Sequence, residues 1–292
     1  MKTATALRRL LAADDLLIAP GAYDGLTARL VELAGFPVVY ATGAGISNSQ
    51  LALADHGLVT MNEILDQVRK MTSAVEVPVI ADVDTGFGNA VNLMRTVREF
   101  IQAGAAAIQV EDQVIPKKCG HFEGKSLIGF EEAVLKIRAA VEARGSDDML
   151  IIARTDAIAV GGFEEAMRRA EAFAAAGADM LFVEAPRDRA QMVELCRRLP
   201  GPKIANIVEG GKTPMLPAAD LKEIGFKLVL YANLVLHSSV KAVQGSLAHL
   251  KQHGDSKAIL DKMITMGERA RVTRKDMLDD AERRYVSAAG EG

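Results

Sequence analysis

VELAGFPVVY (31–40), IQAGAAAIQV (101–110), AAAGADMLFV (174–183) and KEIGFKLVL (222–230) repeat one pattern: a helix end, a glycine, then four or five apolar residues. Gly35, Gly104, Gly177 and Gly225 stand where a helix C-cap calls for the left-handed conformation. The apolar runs are continuous instead of alternating, as in parallel strands covered on both faces. Further apolar runs at 16–19 (LLIA), 79–82 (VIAD), 150–154 (LIIAR) and 203–206 (KIAN) bring the strands to eight. Helical periodicity occupies 22–34, 60–75, 90–103, 130–144, 163–176, 188–199 and 233–252. Eight βα units predict an α/β fold, a (β/α)8 TIM barrel over residues 1–255. Residues 256–292 then form a C-terminal helical extension of the same domain, with SAAGEG frayed at its end. A doubly wound open sheet is the competing architecture. TGAGISNS (42–49) lacks its third glycine, however, and no acidic ribose partner follows at the usual distance.

The composition narrows the function. A net charge of −3 and the absence of any Lys/Arg cluster with stacking aromatics speak against nucleic acid. No apolar run is long enough for a bilayer. The N-terminal apolar run is interrupted by Asp14 and Asp15 and reads as an amphipathic helix, not a leader. Two cysteines, Cys119 and Cys196, give no disulfide framework and suit a reducing cytoplasm.

The strand ends are polar: Tyr40 and Thr42, Asp82 and Asp84, Glu111, Arg154, Glu184, Asn206 and Tyr231. Chemistry in such barrels is built at these ends, and carboxylates buried together need a compensating cation. Asp82 and Asp84 in VIADVDTGFGN (79–89) would share one face of an extended chain. Their hard oxygens suit Mg2+ or Mn2+, with Glu111 as a third donor. A D-x-D alone could equally open a loop and cap a helix; Glu111 and Glu184 on other strand ends favour a metal. Arg154 at the end of an apolar strand needs a carboxylate, either a substrate's or that of Glu184. Thr42-Gly43-Ala44-Gly45 is a small-residue turn whose amides could cradle a carboxylate.

DQVIPKKCGHFEGK (112–125) opens a loop that runs to about residue 129, long enough to be a lid. Cys119-Gly120-His121 lacks the spacing of a zinc site. Lys117, Lys118 and His121 surround the thiol with positive charge, which favours the thiolate and proton exchange. Cys196, in the helix MVELCRRL, reads as inert.

VYATGAG (39–45), LADHGL (53–58), ADVDTGFGN (81–89), VEDQVIPKKCGH (110–121), IIARTDA (151–157), FVEAP (182–186) and NIVEGGKTP (206–214) resemble, in order and over nearly the whole chain, the isocitrate lyase/phosphoenolpyruvate mutase superfamily. Its K-[KR]-C-G-H signature marks the lyase branch. The resemblance implies cleavage of the C2–C3 bond of a 2-hydroxy di- or tricarboxylate, of the 2,3-dimethylmalate or 2-methylisocitrate type, to pyruvate and a second carboxylate. It implies Mg2+ or Mn2+, a cysteine-bearing lid, and a homotetramer built as a dimer of helix-swapped dimers. By position, Asp84 binds the metal directly, Asp82 and Glu111 through water, and Asp55 lies nearby. Thr42, Gly43 and Ala44 hold the 2-oxo acid carboxylate and Arg154 the C2 substituents. Cys119 is the general acid, assisted by Lys117 and His121, with Gly120, Glu184 and Asn206 against the departing carboxylate. Tyr40 is the candidate base.

Two departures bear on the substrate. Thr42-Gly43-Ala44 replaces the Ser-Gly-Gly usual in methylisocitrate lyases, and Tyr231-Ala232-Asn233 replaces Tyr-Pro. VEGGKTP (208–214) leans toward dimethylmalate lyase, oxaloacetate hydrolase and carboxyphosphonoenolpyruvate mutase. Oxaloacetate hydrolysis or decarboxylation, phosphonomutase chemistry, and a barrel that binds dicarboxylates without turnover therefore stand as alternatives.

Overall fold

A computed structural model describes residues 3–120 and 124–286; His121 and the C-terminal SAAGEG lie outside the described residues. The strands are β1 (Leu17–Ala22), β2 (Val39–Ala41), β3 (Val79–Asp82), β4 (Ala107–Glu111), β5 (Leu150–Thr155), β6 (Met180–Val183), β7 (Lys203–Asn206) and β8 (Leu228–Tyr231). Each pairs in parallel with the next, and β8 pairs with β1, closing the barrel. The expected (β/α)8 architecture is therefore the one observed.

The helices are α1 (Thr3–Ala12), α2 (Gly25–Leu33), α3 (Gly43–Leu51), α4 (Met61–Ala74), α5 (Ala90–Gln102), α6 (Phe130–Arg144), α7 (Phe163–Ala175), α8 (Arg189–Arg198), α9 (Ala218–Ile224), α10 (Leu234–His253), α11 (Met266–Val272) and α12 (Lys275–Tyr285). The chain divides into two compact units, Met1–Leu236 and His237–Gly292. The first holds the barrel; the second holds most of α10, then α11 and α12. Among the described residues no helix is long and apolar enough to cross a membrane.

The four repeat glycines adopt φ values of +88°, +79°, +100° and +107°, where a side chain would be strained. Within the strands a two-residue alternation is hidden beneath the apolar runs. Tyr40, Ile80, Ile152, Phe182, Ile204 and Leu228 pack in an inner cluster, whereas Val39, Ala81, Ile151, Leu181 and Val229 pack outward against helices. The same parity aims Asp82, Glu111, Arg154 and Asn206 inward. It aims Tyr231 outward, where it packs against the outer cluster, so this strand end does not face the mouth. At the opposite end Leu7 of α1 enters the inner cluster, and Arg8 bonds the Asp148 carbonyl at 2.8 Å. That end is plugged; the C-terminal end is left for chemistry.

Candidate active site

The turn expected at residues 42–45 is the start of α3. Thr42 caps it, accepting from Gly45 N at 3.3 Å, and Gly43 N points at Asp82 Oδ2, 3.4 Å away. A Cβ on Gly43 would stand 3.0 Å from that oxygen and 3.3 Å from Asp84 Oδ1. Glycine is what lets the two carboxylates approach the helix end, where the unpaired amides favour negative charge.

Asp82 and Asp84 do not share a face by extended geometry. The strand ends at Asp82, and Asp84 takes a left-handed backbone, φ +49°, with its amide donating to Asp82 Oδ1 at 3.1 Å. The turn, not strand periodicity, brings the two side chains together. Such a conformation in a residue with a Cβ is costly, and this kind of strain concentrates at functional sites.

Among the described residues the buried charged side chains are seven carboxylates (Asp55, Asp82, Asp84, Glu111, Asp112, Asp156, Glu184) and five cations (Lys117, Lys125, Lys136, Arg154, Arg169). The carboxylates outnumber the cations by two. Burial, against the pull of Lys117 and reinforced by Asp82 and Asp55, pushes Asp84 up to about 6. Burial likewise lifts Glu111 well above the ordinary range, despite Arg154 and Lys117. Asp84 Oδ1 and Glu111 Oε1 are buried without a hydrogen bond, although Lys117 lies 2.8 Å from the former as an ion pair. Hard, undersatisfied oxygens with surplus negative charge fit Mg2+ or Mn2+ chemically. As the side chains stand, however, no three His, Cys, Asp or Glu residues among those described converge on one ion position. Lys117 Nζ bridges the cluster instead, 2.7 Å from both Asp55 oxygens. Burial opposes its charge, but Asp84, Asp55, Glu111 and Asp82 together outweigh that and hold the ammonium protonated far above its usual range.

Tyr40, fully inside the barrel, donates to Gln109 Oε1 at 2.9 Å and to Asp82 Oδ2 at 3.2 Å. Burial, then the Asp82 carboxylate, push its phenol well above 10. Arg154 forks onto Asp156, with Nε to Oδ2 at 3.0 Å and Nη2 to Oδ1 at 3.1 Å. Glu111 is 3.3 Å and Glu184 3.9 Å from the guanidinium, which also stacks 5.1 Å over Phe182. Burial disfavours that charge, but Asp156, Glu111 and Glu184 more than compensate. Asn206 donates to Glu184 Oε2 at 3.3 Å.

The long loop crosses this mouth. Cys119 N donates to the Asp55 carbonyl at 3.1 Å, and Gln113 bridges antiparallel to Leu127. Cys119, Gly120 and Lys117 line one cleft of about 390 Å³ with Tyr40, Thr42, Ala44, Asp55, Asp82, Arg154, Glu184 and Asn206. Gly43, Asp84 and Glu111 sit behind these residues through the contacts given above; His121 is outside the described residues. Val208, Ala232 and Asn233 complete the wall. Cys196 is half-buried beside Gly225, and burial pushes its thiol up to about 12.

Sequence reasoning missed four residues that hold this arrangement. Gln109 joins Tyr40 to Asp82, donating to Asp82 Oδ1 at 3.3 Å. Asp112 accepts from Thr155 Oγ1 at 2.7 Å, from the Asp156 amide at 3.0 Å and from Arg169 at 3.1 Å. Asp156 and Lys125 pair at 2.9 Å. The signal for Asp156 was its place two residues beyond Arg154 in IIARTDA, the same offset that separates Asp82 from Asp84.

A closed parallel barrel with carboxylates, a guanidinium and a cysteine-bearing loop at its C-terminal mouth is an enzyme framework whose chemistry sits at the strand ends. The chain belongs to the PEP mutase/isocitrate lyase superfamily, the phosphoenolpyruvate phosphomutase family model matching residues 7–251. It is 42% identical over 287 residues to 2,3-dimethylmalate lyase of Eubacterium barkeri, covering 98% of this chain and 99% of that one. It is 47% identical over 262 residues to 2-methylisocitrate lyase of Aeropyrum pernix, covering 90% and 84%. A crystal structure of 2,3-dimethylmalate lyase superposes with a TM-score of 0.93 at 38% identity, covering 100% of this chain and 98% of that one.

Proposed function

We propose that the chain is a metal-dependent carbon–carbon lyase cleaving the C2–C3 bond of a 2-hydroxy di- or tricarboxylate, of the 2,3-dimethylmalate or 2-methylisocitrate type, to pyruvate and a second carboxylate. The observation that carries this reading is Cys119 lining the same cleft as Asp82, Arg154 and Glu184. A proton donor and a binding site for anionic groups thus share one small cavity.

Asp84, Asp82, Glu111 and Asp55 are the residues that would hold Mg2+ or Mn2+, which when bound supplies positive charge against the C2 oxygen and its carboxylate. The α3 amides and Thr42, Gly43 and Ala44 receive the carboxylate that becomes pyruvate's, and Arg154 orients the C2 substituents. A carboxylate of the mouth takes the C2 hydroxyl proton as C2 becomes pyruvate's carbonyl. The C2–C3 electrons pass to C3, and the departing fragment is an aci-carboxylate facing Glu184, Asn206 and Gly120. Cys119 delivers a proton to C3, and His121 belongs to the same catalytic loop. Lys117 screens Asp55 and Asp84 and, from the same loop, assists Cys119. The resemblance offers Tyr40 as base. Its burial against Asp82 instead keeps the phenol protonated, so we assign Tyr40 to orienting Asp82.

We further assign the chain to the cytoplasm and to a homotetramer with exchanged C-terminal helices. The exposed Val243, Leu247 and Leu250 of α10 and Met277 and Leu278 of α12 support an assembly that would cover them. The substrate test is a panel of 2-hydroxy and 2-oxo acids with Mg2+, with pyruvate read by lactate dehydrogenase and oxalate and acetate read by NMR. Pyruvate from dimethylmalate or methylisocitrate supports the lyase. Oxalate and acetate from oxaloacetate would replace it with a hydrolase, pyruvate from oxaloacetate alone with a decarboxylase. No turnover despite metal-dependent stabilisation by oxalate would leave a binding barrel.

A further inference from the structure

We infer that Lys125 is a positioning residue for the Cys119 thiol, clamping the peptide just after it to Asp156; this rests on the lyase reading given above. Lys125 lies on the same loop as Cys119, yet its side chain is 1% exposed and that of Asp156 is fully covered. An ammonium gives up its hydration only where partners replace it. Here the Nζ donates to the carbonyl of Gly120 and, at 2.9 Å, to Asp156 Oδ1. By contrast Lys118, also on the loop, is half-buried and donates to the Gly124 carbonyl at 3.0 Å.

The anchor is itself rigid. Asp156 follows β5 directly, its amide donates to Asp112 Oδ1 at 3.0 Å, and both its oxygens hold Arg154. A connected path therefore runs from the barrel wall, through Asp156 and Lys125, to the residue bonded to Cys119. The seat at Gly120 is tight as well. A Cβ there would lie 2.9 Å from Glu184 Cγ, so the backbone rests directly on the floor of the cleft. Lys125 draws that peptide down and Asp156 shares one carboxylate between loop and Arg154. The proton donor and the guanidinium are thus set in one register. For a proton transfer to C3, an error of about 1 Å in that register costs on the order of 100-fold in rate.

The experiment uses the full-length chain carrying Cys196→Ser, with Lys125→Met and Lys125→Arg added separately. The first readout is the rate of Cys119 alkylation by iodoacetamide without substrate, by intact mass. The second is kcat and KM with the acid the panel identifies. Clamping predicts alkylation of Lys125→Met at least about tenfold faster, with kcat down about 100-fold and KM changed far less. Lys125→Arg, which keeps a buried cation on the clamp, should recover most of both. Equal alkylation rates in all three proteins would overturn the inference, as would equal loss in both variants, which marks a general structural role. The alkylation arm needs no turnover, so a failed lyase assignment and a failed clamp give different results.

Discussion

Replacing Lys117 with methionine removes the ammonium that lies within 2.8 Å of Asp55 and Asp84 and is itself 4% exposed. The buried set then holds seven carboxylates against four cations. Removing one partner of a buried ion pair costs about 3–5 kcal/mol, because the remaining charge is left uncompensated. For a chain of this size that corresponds to a fall in Tm on the order of 10 °C. Asp84 already titrates at about 6 with Lys117 present, so without it the carboxyl takes up a proton still more readily. The penalty is therefore largest above neutrality and shrinks as the pH falls. Thermal unfolding followed by circular dichroism in EDTA measures the loss, and a Mg2+ titration measures its recovery. A divalent ion supplies the missing charge, so Mg2+ should raise Tm more in Lys117→Met than in the wild type. A variant within about 2 °C of wild type in EDTA, or one that gains no more from Mg2+ than wild type does, would refute the charge reasoning.

Cys119→Ser should lower turnover by about 10²–10⁴-fold, the share of a general acid, while Mg2+ and pyruvate still bind by calorimetry; full activity would remove the cysteine from the mechanism. Gly43→Ala sets a methyl 3.0 Å from Asp82 Oδ2 and should weaken Mg2+ binding by about tenfold, and an unchanged Kd would contradict the packing argument. Asp156 is buried, which raises its pKa, but Arg154 and Lys125 outweigh burial and hold it at about 2. A carboxyl depressed on folding stabilises above its unfolded pKa and loses that contribution as pH falls through the folded value. Wild type should therefore lose roughly 2 kcal/mol more than Asp156→Asn between about pH 4 and pH 2, measured by urea unfolding; parallel slopes would contradict it.

The barrel was legible because its punctuation is covalent: glycines at 35, 104, 177 and 225 end helices and start strands wherever the chain is read. The carboxylates and Arg154 were legible because each terminates an apolar run. Other features depend on tertiary geometry. The left-handed turn at Asp84 leaves no trace in a D-x-D pattern that extended chain would also satisfy. Thr42 was read as part of a turn because Gly43 and Gly45 have weak helix preference; the helix forms because Thr42 caps it and Ile46 is buried. Tyr231 was misdirected because an unbroken apolar strand hides which residues face in. Lys117 and Lys125 sit in a polar loop that reads as exposed, and only folding carries their ammonium groups under the surface.

Turnover in D2O tests the bond being broken most directly. With Mg2+ and 2,3-dimethylmalate, mass spectrometry and NMR should find one solvent deuteron on the methylene carbon of the released propionate. The pyruvate methyl should carry none at early times. Propionate without deuterium, or deuterium delivered to pyruvate instead, would contradict cleavage between C2 and C3 with protonation at C3.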